Sequence, residues 1–203
     1  MKSSHRSLLA IGVMLFVVLL AMTVHLPLVR GQAAHARWDL ISADFSTSPV
    51  TLSPGGVDSA TGPGGISITF TGSGTFVAPA GDGESSHAVT GGGTWQTFDS
   101  GETSTGSGTY QVTELVRFDF ANFQTGSFID LIGNTNQRAN GTAVLRIAYS
   151  DGSQGALLVG CHGPGAPSGI FEGIVATKGF VTYWGNQAPV AGVNANRTIF
   201  HVM

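Results

Sequence analysis

A glycine-rich motif that occurs three times does most to constrain the fold of this chain. Its copies read GSGTF, GGGTW and GSGTY and begin at Gly72, Gly91 and Gly106, which are 19 and 15 residues apart. This spacing is typical of successive strands in one antiparallel sheet. Glycine inside a strand ordinarily weakens it. Pairs of glycines on one face of three strands therefore predict a sheet that curls tightly, as a closing β-barrel requires.

Side chains around the first copy alternate strictly. From Ile66 to Phe76 the even positions carry apolar residues or glycine, and the odd positions carry serine or threonine. Successive side chains of a strand point to opposite faces, so this strand has one apolar face and one hydroxyl face. By the same alternation, the apolar face of the third copy runs through Tyr110, Val112 and Glu114.

The rest of the chain also reads as short strands separated by turns, and no segment indicates a helix. We predict an all-β fold, a single antiparallel β-barrel of about eight strands, with a curled β-sandwich as the alternative. Residues 46–65 are rich in Ser, Pro and Gly and are predicted to form a loop. The predicted strands cover residues 37–45, 66–77, 86–98, 106–120, 128–132, 141–150, 154–162, 170–184 and 197–202.

The clearest hairpin turn is Asp-Gly at residues 151–152, between two apolar runs. With Ser150 opposite Ser153, His162 shares the face of the odd-numbered residues that precede the turn, and Cys161 lies on the other face. A shift of one residue in the pairing would exchange the two faces.

The beginning of the chain has the layout of a secretory signal peptide. Two basic residues precede an unbroken apolar run from Leu8 to Met22, and Ala-His-Ala at residues 34–36 offers a cleavage site. We predict a signal peptide over residues 1–36 and a single secreted, periplasmic or extracellular barrel domain over residues 37–203. An uncleaved membrane anchor is the alternative, although the 15-residue run is shorter than the roughly 20 residues that a spanning helix needs.

Composition limits the partners of the predicted domain. Three of the nine Lys and Arg precede residue 37, which leaves six basic residues against 12 Asp and Glu. Such a balance gives no reason to expect nucleic acid, and no second apolar segment indicates a membrane after cleavage. The single cysteine, Cys161, excludes an internal disulfide, so stability must come from the core.

The segment SGIFEG at residues 168–173 resembles a glycine-rich strand entry of the allene oxide cyclases and dirigent proteins. The G-x-G-T-aromatic strands are similar to theirs in character. The resemblance covers a handful of residues and the general plan, and it implies an eight-stranded barrel with a central cavity for a small hydrophobic molecule. No stretch matches the catalytic positions of those families one for one, so no catalytic residue is carried over. Glu172 is expected to face outward and is not treated as catalytic.

Glu114 is the best single candidate for a catalytic group. Strict alternation places it on the apolar face between Val112 and Val116. A buried carboxyl there would have a raised pKa and would suit a general acid or base, or a polar anchor for a ligand. The alternative is a β-bulge near Leu115 that turns Glu114 outward.

The remaining polar motifs carry structural interpretations. Cys161 and His162 are neighbours in a predicted strand and point to opposite faces, and no other histidine lies at ligand spacing. We therefore predict a buried cysteine, a hydrogen-bonded histidine at a strand end, no metal and no cofactor. The Gly-Ser-Gly-Thr segments lack the lysine and the helix of a phosphate loop. Asn140 and Asn196 begin N-glycosylation sequons.

Three functions remain open on the sequence alone. The first is an exported barrel, without catalysis of its own, that binds a small hydrophobic molecule in a central cavity. The second is an enzyme of cyclase or isomerase type on the same barrel, with Glu114 as its polar group. The third is a structural or surface-interaction protein with a solid core, for which assembly as a homo-oligomer is one possible form. We favour the first, and its predicted ligand-binding residues are Phe70, Phe76, Trp95, Tyr110, Val112, Glu114 and Tyr149.

Overall fold

The computed structural model describes residues 34–79 and 85–203. The described chain is all-β, as predicted, and its only other regular elements are two 3-10 turns, Pro63–Gly65 and Thr135–Gln137. The strands are β1 (Ala34–Asp44), β2 (Thr51–Pro54), β3 (Asp58–Thr61), β4 (Ser67–Phe70), β5 (Ser73–Ala78), β6 (Val89–Phe98), β7 (Ser104–Phe123), β8 (Ile129–Asp130), β9 (Arg138–Tyr149), β10 (Gln154–Cys161), β11 (Gly173–Lys178), β12 (Val181–Tyr183), β13 (Gly185–Asn186) and β14 (Gly192–Val202).

Six of these strands close a barrel. Antiparallel pairs run in the order β1, β5, β6, β7, β9 and β14, and β14 pairs with β1 to complete the circle. The prediction of an antiparallel barrel is confirmed, and the alternative of a curled sandwich is wrong. The closed part has six strands, whereas the sequence predicts about eight, because the other strands extend the sheet beyond the barrel.

Two arms of the sheet leave the barrel wall. One arm continues from β9 through β10 and β11 to β12, and the other continues from β6 through β4 and β3 to β13. Strands β12 and β13 follow each other within residues 181–186, so this short segment pairs with both arms. The arms are therefore joined at their far ends.

The three-fold glycine motif lies where the neighbouring strands β5, β6 and β7 approach one another closely, and the tight curl that the sequence predicts falls there. A Cβ atom on Gly93 would lie 1.9 Å from the carbonyl oxygen of Thr71, and one on Gly91 would lie 2.3 Å from that of Ser73. Gly91 also has a φ of 109°, which L-residues rarely adopt. Only glycine permits this approach, which allows the sheet to curl.

Two strand boundaries differ from the prediction. Residues 46–65, predicted to be a loop, contain β2 and β3, which pair with β1 and β4. Residues 170–184, predicted to be one long strand, form β11 and β12 instead. Gly179 has a φ of 57° between them, and this left-handed residue turns the chain back on itself.

The hairpin at residues 151–152 forms, but its register differs by one residue from the predicted one. The backbone of Tyr149 pairs with that of Ser153, which places Leu145 directly opposite Leu157. The shift buries Cys161 with the core and leaves His162 exposed. The shifted register is favoured because it turns the more apolar set of β10 side chains inward.

Most of the predicted signal peptide, residues 1–36, lies outside the described residues. Its last three residues begin β1, where Ala36 is buried and lies opposite Phe76 on one side and Val202 on the other. Within the described chain, no helix has the length and apolar character needed to cross a membrane.

Candidate functional site

The aromatic residues predicted to line a cavity pack against one another in the core. The rings of Phe70 and Tyr110 meet edge to face with centroids 5.2 Å apart, and those of Trp95 and Tyr149 do so at 5.6 Å. Phe76 and Val112 are also buried, and both belong to the same apolar cluster.

The polar atoms of these aromatic residues bind the backbone. The hydroxyl of Tyr110 donates to the carbonyl of Thr71 at 3.0 Å, and the indole N–H of Trp95 donates to that of Thr109 at 3.1 Å. The hydroxyl of Tyr149 donates to a third carbonyl at 2.8 Å. Buried Tyr and Trp side chains need such partners, and these contacts hold the aromatic rings in place.

Glu114 lies on the outer face of the barrel. The pairing of β7 with β9 is irregular between Val112 and Glu114, and the bulge brings Leu115 into the core instead. The Glu114 carboxylate forms an ion pair with Arg146, with 3.0 Å between Oε2 and Nε. The Glu114 side chain is 15% exposed and the Arg146 side chain is 59% exposed. Strict alternation fails here because one extra residue in a bulge reverses the faces that follow it.

Two of the predicted ligand-binding residues, Phe70 and Trp95, border an open cleft on the other side of the sheet. The cleft has a volume of about 600 Å³, which lies within the usual range for ligand sites. Strands β4, β6 and β7 form its floor. Its lining residues are Val57, Thr69, Phe70, Thr71, Thr94, Trp95, Gln96, Phe98, Ser107, Gly108, Thr109 and Asn194.

The lining of the cleft carries hydroxyl and amide groups and no charged side chain. Thr71 and Thr94 lie on neighbouring strands, and their hydroxyls are 2.6 Å apart. Ser107, Thr109 and Asn194 are exposed to the solvent of the cleft. This floor is the hydroxyl face that the alternation of the first motif predicts, although sequence reasoning places the ligand on the opposite, apolar face.

One wall of the cleft comes from distant parts of the chain. The backbone N–H of Val57 donates to the carbonyl of Val193 at 2.8 Å, and that of Ser59 donates to the side chain of Asn196 at 2.7 Å. Asn196 has a φ of 49°, a left-handed conformation that asparagine tolerates better than most residues. These contacts hold Val57 and Asn194 beside the floor.

A second, smaller cavity of about 50 Å³ is bordered by Glu172, His162 and Arg197. The carboxylate of Glu172 accepts the backbone N–H of His162 and, at 2.9 Å, that of Thr198. Burial raises the pKa of Glu172 to about 7, although these hydrogen bonds oppose the rise. The sequence predicts an outward Glu172, and its burial depends on contacts with β14 that local alternation does not reveal.

Cys161 and His162 take the structural roles that the sequence predicts. The thiol of Cys161 donates to the carbonyl of Thr198 at 3.3 Å and accepts from Gln124 at 3.1 Å. Burial raises the pKa of Cys161, so the group is a thiol and not a nucleophilic thiolate. The Nδ1 atom of His162 lies 2.7 Å from the carbonyl oxygen of Ile170.

The two glycosylation sequons are part of the folded structure. Asn140 is fully buried, and its side chain donates to Asn122 at 2.8 Å and accepts from Gly163 at 2.8 Å. The side chain of Asn196 accepts the backbone N–H of Ser59 in the wall of the cleft. A glycan on Asn140 is incompatible with this packing.

No cluster of three or more His, Cys, Asp or Glu side chains within residues 34–79 and 85–203 could hold a metal ion. No protein-family model, curated protein or solved structure matches this chain. The resemblance to allene oxide cyclases and dirigent proteins therefore stays a prediction.

Proposed function

We propose that this protein is a secreted binding protein, without catalysis of its own, that holds a small uncharged molecule in the open cleft. The observation that supports this function most directly is the lining, which combines hydroxyl and amide groups with apolar side chains and has no charge. A neutral saccharide fits this chemistry, because sugars present hydroxyl groups along their edges and C–H groups on their faces.

The uncharged lining argues against several other ligand classes. Phosphorylated and carboxylated molecules are usually held by Arg, Lys or backbone N–H groups at a helix start, and the cleft offers none of these. A basic or acidic peptide would lack a charged partner for the same reason.

The polar floor also argues against the purely hydrophobic ligand that the sequence favours. Such a ligand would remove Gln96, Ser107 and Thr109 from water without replacing their hydrogen bonds, at a cost of about 1–3 kcal/mol for each group. The aromatic residues that the sequence predicts as cavity lining pack against one another in the core, so they also give no support to a hydrophobic ligand inside the barrel. A cyclase function receives no support from Glu114, whose carboxylate pairs with Arg146.

The test uses two pairs of threonines that are alike in geometry. Thr71 and Thr94 line the cleft with hydroxyls 2.6 Å apart, whereas Thr75 and Thr90 form an exposed pair at 2.7 Å outside it. Each pair is changed to valine, which keeps the shape and removes the hydroxyls. Binding of a panel of neutral oligosaccharides is then measured by NMR chemical-shift changes and calorimetry.

We expect a saccharide to shift the backbone signals of Gln96 and Ser107, and we expect the Thr71→Val and Thr94→Val changes to weaken its binding about tenfold or more. The Thr75→Val and Thr90→Val protein should bind as the wild type does. Binding of an apolar probe in preference to every saccharide, or equal effects of the two pairs, would contradict the proposal.

A further inference from the structure

Two carboxyl groups fasten β14 where its pairing with β1 is interrupted. The regular register ends at Ile41 opposite Arg197 and resumes only at Ala43 opposite Gly192. Next to this gap, the Oδ1 atom of Asp58 accepts the backbone N–H of Arg197 at 3.0 Å, and the Oε1 atom of Glu172 accepts that of Thr198 at 2.9 Å. Two acidic side chains thus bind consecutive amides of one strand.

Asp58 is buried in a way that disfavours its anion. Its side chain is 0% exposed, and within the described chain its Oδ2 atom has no hydrogen-bond partner. This oxygen lies near the backbone of Gly173, where an added Cβ atom would be 3.7 Å from Oδ2. An ionised carboxylate with one unsatisfied oxygen in such a place is costly, and the neutral acid avoids most of that cost.

The charged and titratable groups around Asp58 and Glu172 supply too little positive charge to balance two carboxylates. Glu172 and Arg197 act on Asp58, and the negative charge of Glu172 adds to burial in raising the pKa of Asp58 well above its usual value. Arg197 and His162 act on Glu172, beside the neutral thiol of Cys161. The Arg197 guanidinium is also engaged elsewhere, since its Nε atom donates to Val190 at 3.0 Å and it lies over the ring of Phe45.

We infer that Asp58, which is buried, and Glu172, which is half-buried, form a proton-binding site. The site fastens residues 192–198 to the rest of the sheet while it holds a proton, and loosens them when both carboxyls ionise. The carboxyls reach this segment from β3 and from the start of β11. Val57, which precedes Asp58, bonds to Val193 in the same segment. The site therefore controls one wall of the cleft, whatever the cleft binds.

The experiment measures hydrogen exchange at the backbone amides of Arg197 and Thr198 by NMR between about pH 5.5 and about pH 8.5, corrected for intrinsic exchange. Leu145 and Leu157 in the β9–β10 hairpin serve as internal references. We expect protection of the two β14 amides to fall about tenfold or more relative to the references as the pH rises. In the Asp58→Asn, Glu172→Gln double variant, the protection of these backbone amides should stay nearly constant, because the substituted side chains resemble the neutral acids and cannot ionise.

Glu102→Gln is the matched control, because Glu102 is exposed in the turn between β6 and β7 and its change should leave the wild-type profile intact. Constant relative protection in the wild type would overturn the inference. If the double variant does not fold, carbon-13 shifts of the two carboxyls in the wild type decide instead. Titration of at least one of them above about pH 6 is expected, and full ionisation of both below that pH would overturn the inference.

Discussion

At the scale of single residues, Glu172 should make the protein less stable as the pH rises. Most acidic side chains in folded proteins, whose pKa values are lowered, have the opposite effect. The pKa of Glu172 is about 7 in the folded state against 4.5 for a free side chain. A raised folded-state pKa stabilises the protein fully below the unfolded value, and this contribution is lost as the pH rises through the folded value. The difference corresponds to about 3 kcal/mol of unfolding free energy.

We expect Glu172→Gln to flatten the fall in unfolding free energy between about pH 4.5 and about pH 8, measured by urea titration at several pH values. The amide cannot ionise, so the variant should lose less stability than the wild type across this range, and Asp58, whose pKa is also raised by burial, accounts for the fall that remains. Glu102→Gln should follow the wild type. Equal changes in unfolding free energy over this range for the wild type and Glu172→Gln would contradict this expectation.

The residues that carry the proposed chemistry differ in how far the sequence reveals them. The hydroxyl face of the cleft follows directly from the alternation between Ile66 and Phe76. The outward position of Glu114 depends on a bulge in β7, and no local pattern marks where a strand gains one extra residue. Asp58 and Glu172 lie 114 positions apart, and only the paths of β3 and β11 bring both of them to β14.

At the scale of the strands, the paired strands β5 and β6 approach so closely at Gly91 that this position should tolerate no side chain. A Cβ atom on Gly91 would lie 2.3 Å from a backbone oxygen and 2.4 Å from the Cα atom of Gly74. We expect Gly91→Ala to lower the unfolding free energy by about 3 kcal/mol or more, since the strain of a positive φ adds to a clash with backbone. Thermal unfolding followed by circular dichroism measures the loss.

Gly55→Ala is the control for this prediction. Gly55 has a φ of 86° and open space around it, so alanine there meets only the conformational strain, about 1 kcal/mol. Similar losses for the two variants would mean that the close approach of β5 and β6 does not limit the sheet.

The sequence predicts the longer strands and the β9–β10 hairpin, but it predicts neither the short strands nor the exact register of the hairpin. Periodicity locates β6, β7, β9 and β10 to within a few residues because their apolar faces are long. The one-residue register difference in the β9–β10 hairpin is invisible locally, since both registers present an alternating face and only the core on the far side selects between them. Short strands such as β2 and β3 have too few residues to show a period.

At the scale of the whole molecule, the barrel is closed by its first and last described strands. The N–H of Met203 donates to the carbonyl of His35 at 2.8 Å, and Ala36 is buried between β5 and β14. We expect a chain that begins at Arg37 to unfold at least about 2 kcal/mol more easily than one that begins at Ala34, because it loses several backbone hydrogen bonds and the burial of Ala36.

The two chains are compared by urea unfolding, with a control that keeps the length but replaces Ala34 and His35 by Ser and Gly. Strand pairing uses backbone groups, so this control should retain most of the stability. Equal stabilities for the chains that begin at Ala34 and Arg37 would show that these residues contribute nothing to closure of the barrel.

The pairing of β1 with β14 also has a consequence in time. Ribosomal synthesis delivers β1 early and β14 late, and until β14 emerges the edge of β1 that faces it has no partner. Contacts between such distant segments make closure slow, because most of the chain must be ordered before they form. A nascent chain that lacks β14 therefore cannot close the barrel, and the pairing of β14 with β1 completes it.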